Sequence, residues 1–363
     1  MGPDHRGFPV PVVDEISCVS CGLCEKVCPV LNRDEIIARP TRYAVAVRST
    51  DPDILQRSTS GGIAYELART VIEMGGIVFA ACYGKDFHVA HRALKTVDEL
   101  RRMQGSKYVQ SDAGGSFKAV KRALSESGSP VLFIGTPCQV AGVKCFLRRD
   151  YDNLFLLELI CHGVPSPALW KKFLTERKFL DAENIYFRYK DAGTGWSSGA
   201  VFRVAREPYE VKEPFNRNHF TTLFAGNYGL RDSCFDCCFK RQERFSDLTC
   251  GDLWGIEEML PDVQDDRGMS LLLINSEKGE ALFSRTTGRT RKYEVDYDTA
   301  LKNNLMLVRS VQPPADADEF WKLFDNYSVR RLARRFVKRD PVLLRIRKFL
   351  YPYKQKFMKL LKR

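Results

Sequence analysis

Four cysteines in the stretch CVSCGLCEKVCP, namely Cys18, Cys21, Cys24 and Cys28, are separated by two, two and three residues and followed by Pro29. Thiolates at i, i+3 and i+6 wrap a small inorganic cluster, and a proline ends the turn, so the run is a ligand set for a [4Fe-4S] cluster. Zinc, held tetrahedrally, needs only two close pairs and leaves the third cysteine and the proline without a reason. In two-cluster proteins the fourth cysteine of such a run serves the other cluster, yet no second run follows here. The fourth ligand is therefore either Cys28 in a rearranged turn or a thiolate given by another part of the chain. CFDCC, with Cys234, Cys237 and Cys238, and the later Cys250 form a second group. Its spacing suits zinc and iron-sulfur equally.

Such ligands need a frame. A chain of 363 residues with 44% hydrophobic content buries a full core and accommodates one large domain plus a small module. No signal-like apolar run opens the sequence and no membrane-length one occurs in it, so a cytoplasmic chain is expected. Twelve cysteines in that compartment point to metal or redox chemistry rather than to disulfides. Gly75 to Gly84, Pro130 to Cys138 and Leu154 to Gly163 each read as a buried strand, with helical patterns at Ile63 to Met74, Ser116 to Ser127 and Leu169 to Phe179. Shorter alternating runs follow at Ile185 to Val204 and Ser270 to Ile274. The expected fold class is α/β, a mixed sheet with packed helices, preceded by a small N-terminal iron-sulfur module. Ligands usually sit beyond the carboxyl ends of such strands, and Cys138 and Cys161 stand there.

The net charge of +12 belongs to the tail: residues 328–363 hold 14 Lys or Arg and one Asp, and the preceding 327 residues carry a net −1. Val329, Leu332, Ala333, Phe336 and Val337 recur at helical spacing among arginines, and a second stretch carries Leu343, Leu344, Ile346, Phe349 and Leu350. The tail reads as a surface helix for an anionic membrane or an acidic partner, or as a helix packed on the body with a solvated basic face. No recognition motif for nucleic acid accompanies the charge.

The segments STSGGIAYELA, QGSKYVQS, VLFIGTPCQVAG, LICHGVPSPALW, CFDCCFK and SDLTCGDLWG, in this order, resemble the coenzyme F420 hydrogenase/dehydrogenase beta-subunit family. The likeness extends to bacterial members that are associated with polysaccharide biosynthesis and fused to a ferredoxin-like module. It implies a truncated 4Fe-4S module at 1–40 and a flavin and iron-sulfur domain at 41–327, ahead of the basic tail that the charge marks at 328–363. It also implies bound FAD, and Cys138, Cys161, Cys234 and Cys237 as ligands of a second cluster. Relatives commonly carry two consecutive ferredoxin runs, of which this chain keeps the second. Cys238 and Cys250 are then either the missing ligand of the first cluster or small buried residues.

By the same resemblance the Ser60, Gly61, Gly62 loop lies near flavin phosphate. Ser-Gly-Gly entering a helix offers backbone N–H groups to an anion, and it is equally an ordinary helix cap. Ser106, Lys107 and Tyr108 offer a charge and a stacking ring, or form a solvated loop. Gly135, Thr136 and Pro137 bring backbone close to a flat ring, and Asp252 and Trp254 line the same cleft or cap a turn. His162 is either a proton relay to reduced flavin or a hydrogen-bonded core histidine. The leading expectation is an FAD and iron-sulfur oxidoreductase, working with a ferredoxin-like or other redox partner on a small-molecule or glycan-linked substrate. The alternatives are an accessory electron-transfer subunit with the substrate site on a partner, and a zinc-stabilised binding module.

Overall fold

The computed structural model describes residues 1–190, 195–196, 201–263 and 265–337. Strands β1 (Gly2–Pro3) and β2 (Pro9–Val10) form a small antiparallel pair ahead of the first cysteine run. The body contributes β3 (Tyr43–Ser49), β4 (Ile77–Tyr83), β5 (Val89–Leu94), β6 (Val131–Gly135) and β7 (Leu154–Leu159). Next come β8 (Asn184–Tyr189), β9 (Val201–Arg206) and β10 (Tyr209–Pro214). The last three are β11 (Leu248–Asp252), β12 (Ser270–Ile274) and β13 (Thr290–Val295). Eight strands make one mixed sheet in the order β13-β3-β12-β11-β7-β6-β4-β5, and β8 to β10 make a separate antiparallel sheet.

At the centre of the large sheet β4, β6, β7 and β11 run parallel. Every residue of β6 and β12 is buried, as strands covered on both faces must be. On one face the helix Ile63–Glu73 inserts Ile63, Leu67 and Val71 among Val45, Val47, Val78 and Leu132. Its N-terminus approaches the sheet so closely that a side chain on Gly61 would run into the Val47 carbonyl oxygen. The expected strands and helices around Cys138 and Cys161 therefore form where the apolar patterns placed them.

A second core, rich in aromatic rings, joins the helix Pro167–Arg177, the β8 to β10 sheet and the helix His219–Ala225. The helix Val329–Phe336 completes it: Val329, Leu332, Ala333 and Phe336 are buried, and Phe336 lies 5.4 Å from Tyr228 and 5.5 Å from Phe320, ring to ring. The expectation that this apolar face meets a membrane is corrected here, because the face is already covered by the body. Its arginines at 330, 331, 334 and 335 face solvent. The second amphipathic stretch, from Leu343 onward, lies outside the described residues. Among the described residues no helix is long and apolar enough to cross a membrane.

Candidate iron-sulfur and cofactor site

Cys138 is the second residue of the helix Pro137–Leu147, which starts directly after β6 with Thr136 as its cap and proline in its first turn. Cys161 follows β7 by two residues. Cys234 and Cys237 come from the loop that precedes β11, and Gly163 lets that loop approach: a Cβ there would stand 3.3 Å from Cys234 Cβ. The structure thus brings the four cysteines within electrostatic range of one another. Burial raises the Cys161 thiol, and the sulfurs of Cys138, Cys234 and Cys237 push it the same way. Cys138 is exposed at the surface, yet the protein packed around its thiol raises it to about 11; the Thr136 hydroxyl opposes this, and Cys237 and Cys234 add to it. Cys234 is raised for the same reasons, burial first.

Lys240 stands among them. Burial lowers its ammonium, while Cys161, Cys237 and Cys234 hold it up. Its Nζ donates to the carbonyl oxygens of His162 and Arg309, each at 3.1 Å. Four thiols gathered from three segments, with the Lys240 cation beside them, suit a bound positive group that ionises them all. No set of three or more His, Cys, Asp or Glu among the described residues is close enough to hold one metal ion. A cubane binds each thiolate to a different iron, and four cysteines drawn from three segments are a donor set that such a cluster can take.

In the first run Cys18, Cys21 and Cys24 are exposed and Cys28 is half-buried. The run turns through left-handed Ser20 and Gly22 into the short helix Leu23–Lys26. Pro29 then rests on the helix Pro137–Leu147, 3.9 Å from where a Cβ on Gly142 would be. On that helix Cys145 feels the charge of Cys28. Sequence reasoning passed over Cys145, although 138, 142 and 145 share one face at i, i+4 and i+7. Cys238 packs on the same core as Ile36 and Ala38 and feels Arg33, which puts it near the small module. Cys250 does not fit the role of ligand to the first cluster: it is buried in β11 opposite Leu159 and Leu272, and its charged neighbours are Asp252 and Glu158.

Beyond the strand ends lies a cleft of about 290 Å³, whose wall includes Ser60, Gly62, Ser106, Lys107, Tyr108, Gly135, Thr136, Cys161, His162 and Asp252. The helix Ile63–Glu73 opens into it with no side-chain cap and with Gly62 at φ 84°, a conformation that suits glycine. Several expected roles change. The Gly61 N–H is taken by Ser270 Oγ at 2.9 Å, and Ser60 Oγ donates to the Met269 carbonyl oxygen at 2.7 Å. Lys107 Nζ donates to the carbonyl oxygens of residues 102 to 105 at 2.8 to 3.1 Å, so its charge serves that turn. Burial pushes that ammonium down to about 8. Pro137 is buried behind the cleft. Trp254 lines a neighbouring cavity of about 230 Å³ with Trp196, while Asp252 pairs with Arg188.

Tyr108 turns its ring into the aromatic core against Phe187 and Phe224, so it is a wall and not an exposed stacking ring. His162 lies 2.7 Å from Asn227 Oδ1 through Nε2 and edge-on to Phe224. Asn227 Nδ2 donates to the Gln312 carbonyl oxygen, so Oδ1 faces the imidazole and accepts from Nε2. That leaves Nδ1 as the basic nitrogen, with burial lowering its affinity for a proton. Sequence reasoning missed Gln104, whose buried Nε2 has no partner in the cleft wall. It also missed His91 in β5, Ser111 in a loop and Gln139 in the first turn of the helix Pro137–Leu147, because single polar residues scattered over separate elements carry no local signal.

Residues 44–116 match the N-terminal part and residues 128–297 the C-terminal part of the coenzyme F420 hydrogenase/dehydrogenase beta subunit. Residues 11–31 match a 4Fe-4S binding domain. No curated protein matches the chain significantly. Among solved structures, a chain of the F420-reducing [NiFe] hydrogenase complex from Methanosarcina barkeri shares 20% identity with a TM-score of 0.50. The match covers 82% of this chain and 91% of that one, and at this identity it speaks for the fold alone. With both halves of the body matched in order behind a 4Fe-4S binding domain, the chain belongs to the coenzyme F420 hydrogenase/dehydrogenase beta-subunit family.

Proposed function

We propose that this chain is an iron-sulfur flavoprotein oxidoreductase that passes electrons between a one-electron carrier and an organic substrate. The observation that carries the reading is the position of Cys161 and His162. Both line the large cleft, and Cys161 is within range of the other three cysteines. Cys18, Cys21, Cys24 and Cys28 would hold one [4Fe-4S] cluster, and Cys138, Cys161, Cys234 and Cys237 a second. FAD would lie in the cleft, its phosphates at the uncapped helix start around Gly62 to Ala64. Clusters move single electrons and FAD exchanges two with an organic partner, which is the chemistry the bound groups supply. The chain's own part is to offset charge with Lys240, to donate from Gln104 Nε2 and to take a proton at His162 Nδ1.

The accessory-subunit reading is favoured by one feature: Ile16, Val19 and Leu31 are among the most exposed large apolar residues and lie within or beside the first run. They suit a protein surface docked near that cluster. A glycan-linked substrate at an anionic membrane rests on the likeness to polysaccharide-associated members and on the charge of residues 338–363.

Anaerobic purification followed by iron, sulfide and flavin analysis tests the proposal. About eight iron and one FAD per chain are expected if both sites hold [4Fe-4S]. Cys234→Ser with Cys237→Ser should remove about half of that iron and leave the first cluster's signal. Ala64→Glu, which puts a carboxylate where phosphate would sit but suits a helix start, should lower FAD content in a folded protein. Retention of all iron in the double variant, or of all FAD in Ala64→Glu, would sink the corresponding assignment.

A further inference from the structure

A line of polar side chains runs through the wall between the cleft and Cys138, and its direction follows from one end. His91 Nε2 lies 2.9 Å from the Ile134 carbonyl oxygen, which only accepts, so Nε2 carries the proton and Nδ1 is an acceptor. Ser111 therefore donates its hydroxyl hydrogen to Nδ1 at 3.0 Å, and its oxygen accepts from Gln139 Nε2 at 2.9 Å. Gln139 Oε1 is thereby turned to Thr136, whose N–H it accepts at 3.0 Å. The imidazole at the head of the line is buried and stacked on Phe133 at 5.0 Å, so the line starts from a fixed point.

At the other end the Thr136 hydroxyl has one hydrogen and two acceptors. Oγ1 lies 3.1 Å from Gln139 Oε1 and 3.1 Å from Cys138 Sγ. Sulfur is the larger atom, so 3.1 Å is a close approach to Sγ and a longer one to Oε1, and the charge on the sulfur decides how far the hydrogen is drawn to it. When the sulfur becomes more negative it wins the hydrogen, and Gln139 Oε1 still keeps the N–H of Thr136. Hydrogen bonds to ligand sulfurs are one of the means by which a protein sets a cluster's potential. A bond that strengthens as the sulfur gains charge favours the reduced state.

We infer that Thr136 sets the potential of the cluster held at Cys138, its hydroxyl turning from Gln139 to the Cys138 sulfur when that cluster is reduced. Gln139, Ser111 and His91 are positioning residues that hold the other acceptor in place. The inference rests on the reading of Cys138, Cys161, Cys234 and Cys237 as a cluster site.

The test is a redox titration of full-length, anaerobically purified protein, followed by electron paramagnetic resonance, with the body cluster identified as the signal lost in Cys234→Ser. Thr136→Val should disfavour the reduced state about tenfold, about 59 mV for one electron, and Thr136→Ser should restore it. Gln139→Leu leaves the hydroxyl only the sulfur to bond and should shift the potential the opposite way. An unchanged potential in Thr136→Val, or equal shifts in the valine and serine variants, overturns the inference. If Thr136→Val does not assemble, an unmoved or more negative potential in Gln139→Leu overturns it. Should Cys234→Ser lose no signal and no iron, the cluster reading falls, and the inference with it.

Discussion

Lys240 Nζ donates to the carbonyl oxygen of His162 at 3.1 Å, tying the CFDCC segment to the loop of Cys161. The same ammonium faces the sulfurs of Cys161, Cys234 and Cys237. A cation in that place would offset the charge of these thiolates and favour the reduced state of a cluster held there. Lys240→Met keeps the length and removes the charge. Lower iron retention at the body site is expected, together with a potential more negative by about 59 mV or more, a tenfold effect. Iron analysis and redox titration check this, and wild-type values for both would show the lysine to be only a loop tie.

The sequence suggests a phosphate cradle at Gly61, and the structure gives the glycine a different reason. Its N–H bonds Ser270 Oγ, and a Cβ would collide with Val47 and Ser270 backbone. Gly61→Val should therefore act on the fold, at about 1–3 kcal/mol or more of overpacking. A lowered melting temperature in the flavin-free protein is the expected result. Unaltered stability with lost flavin would return the loop to the cradle reading.

Burial holds His91 down at about 4, against an ordinary 6.5. In the folded chain the ring stays neutral, whereas the unfolded chain takes up a proton as pH falls below 6.5. Stability from this group is thus whole above the unfolded value and is lost as pH falls from 6.5 toward 4. The loss between pH 7 and 5 should be about 2 kcal/mol. His91→Gln keeps a donor and an acceptor without titrating, so its urea midpoint should fall less between those two pH values. Parallel pH profiles for both proteins would contradict the assignment.

Phe336 fills a site between Tyr228 and Phe320, so Phe336→Ala should cost about 3–5 kcal/mol. A chain ending at Val337 should keep the full melting temperature, while one ending at Tyr327 should lose several degrees. Comparing vesicle sedimentation of the full chain with that of the chain ending at Val337 isolates residues 338–363. Equal sedimentation would leave the basic tail without a membrane role.

The sequence by itself was enough for those features that depend on neighbours along the chain. The cysteine run, the buried strands β4, β6 and β7 and the helix starting at Ile63 are local patterns, since ligand spacing and apolar period act over a few residues. Even the amphipathic stretch Val329–Phe336 was visible, but not what covers it. Coverage is a long-range matter, decided when Tyr228 and Phe320 arrive from elsewhere. The same holds at the site. That Gly61 is locked to Ser270, that the Lys107 charge is spent on its own turn and that Trp254 faces another cavity all follow from contacts with no sequence signature. Cys145 beside Cys28, and the line from His91 to Cys138, depend on segments far apart in the chain. Side-chain chemistry names which groups can bond, but only packing decides which of them meet.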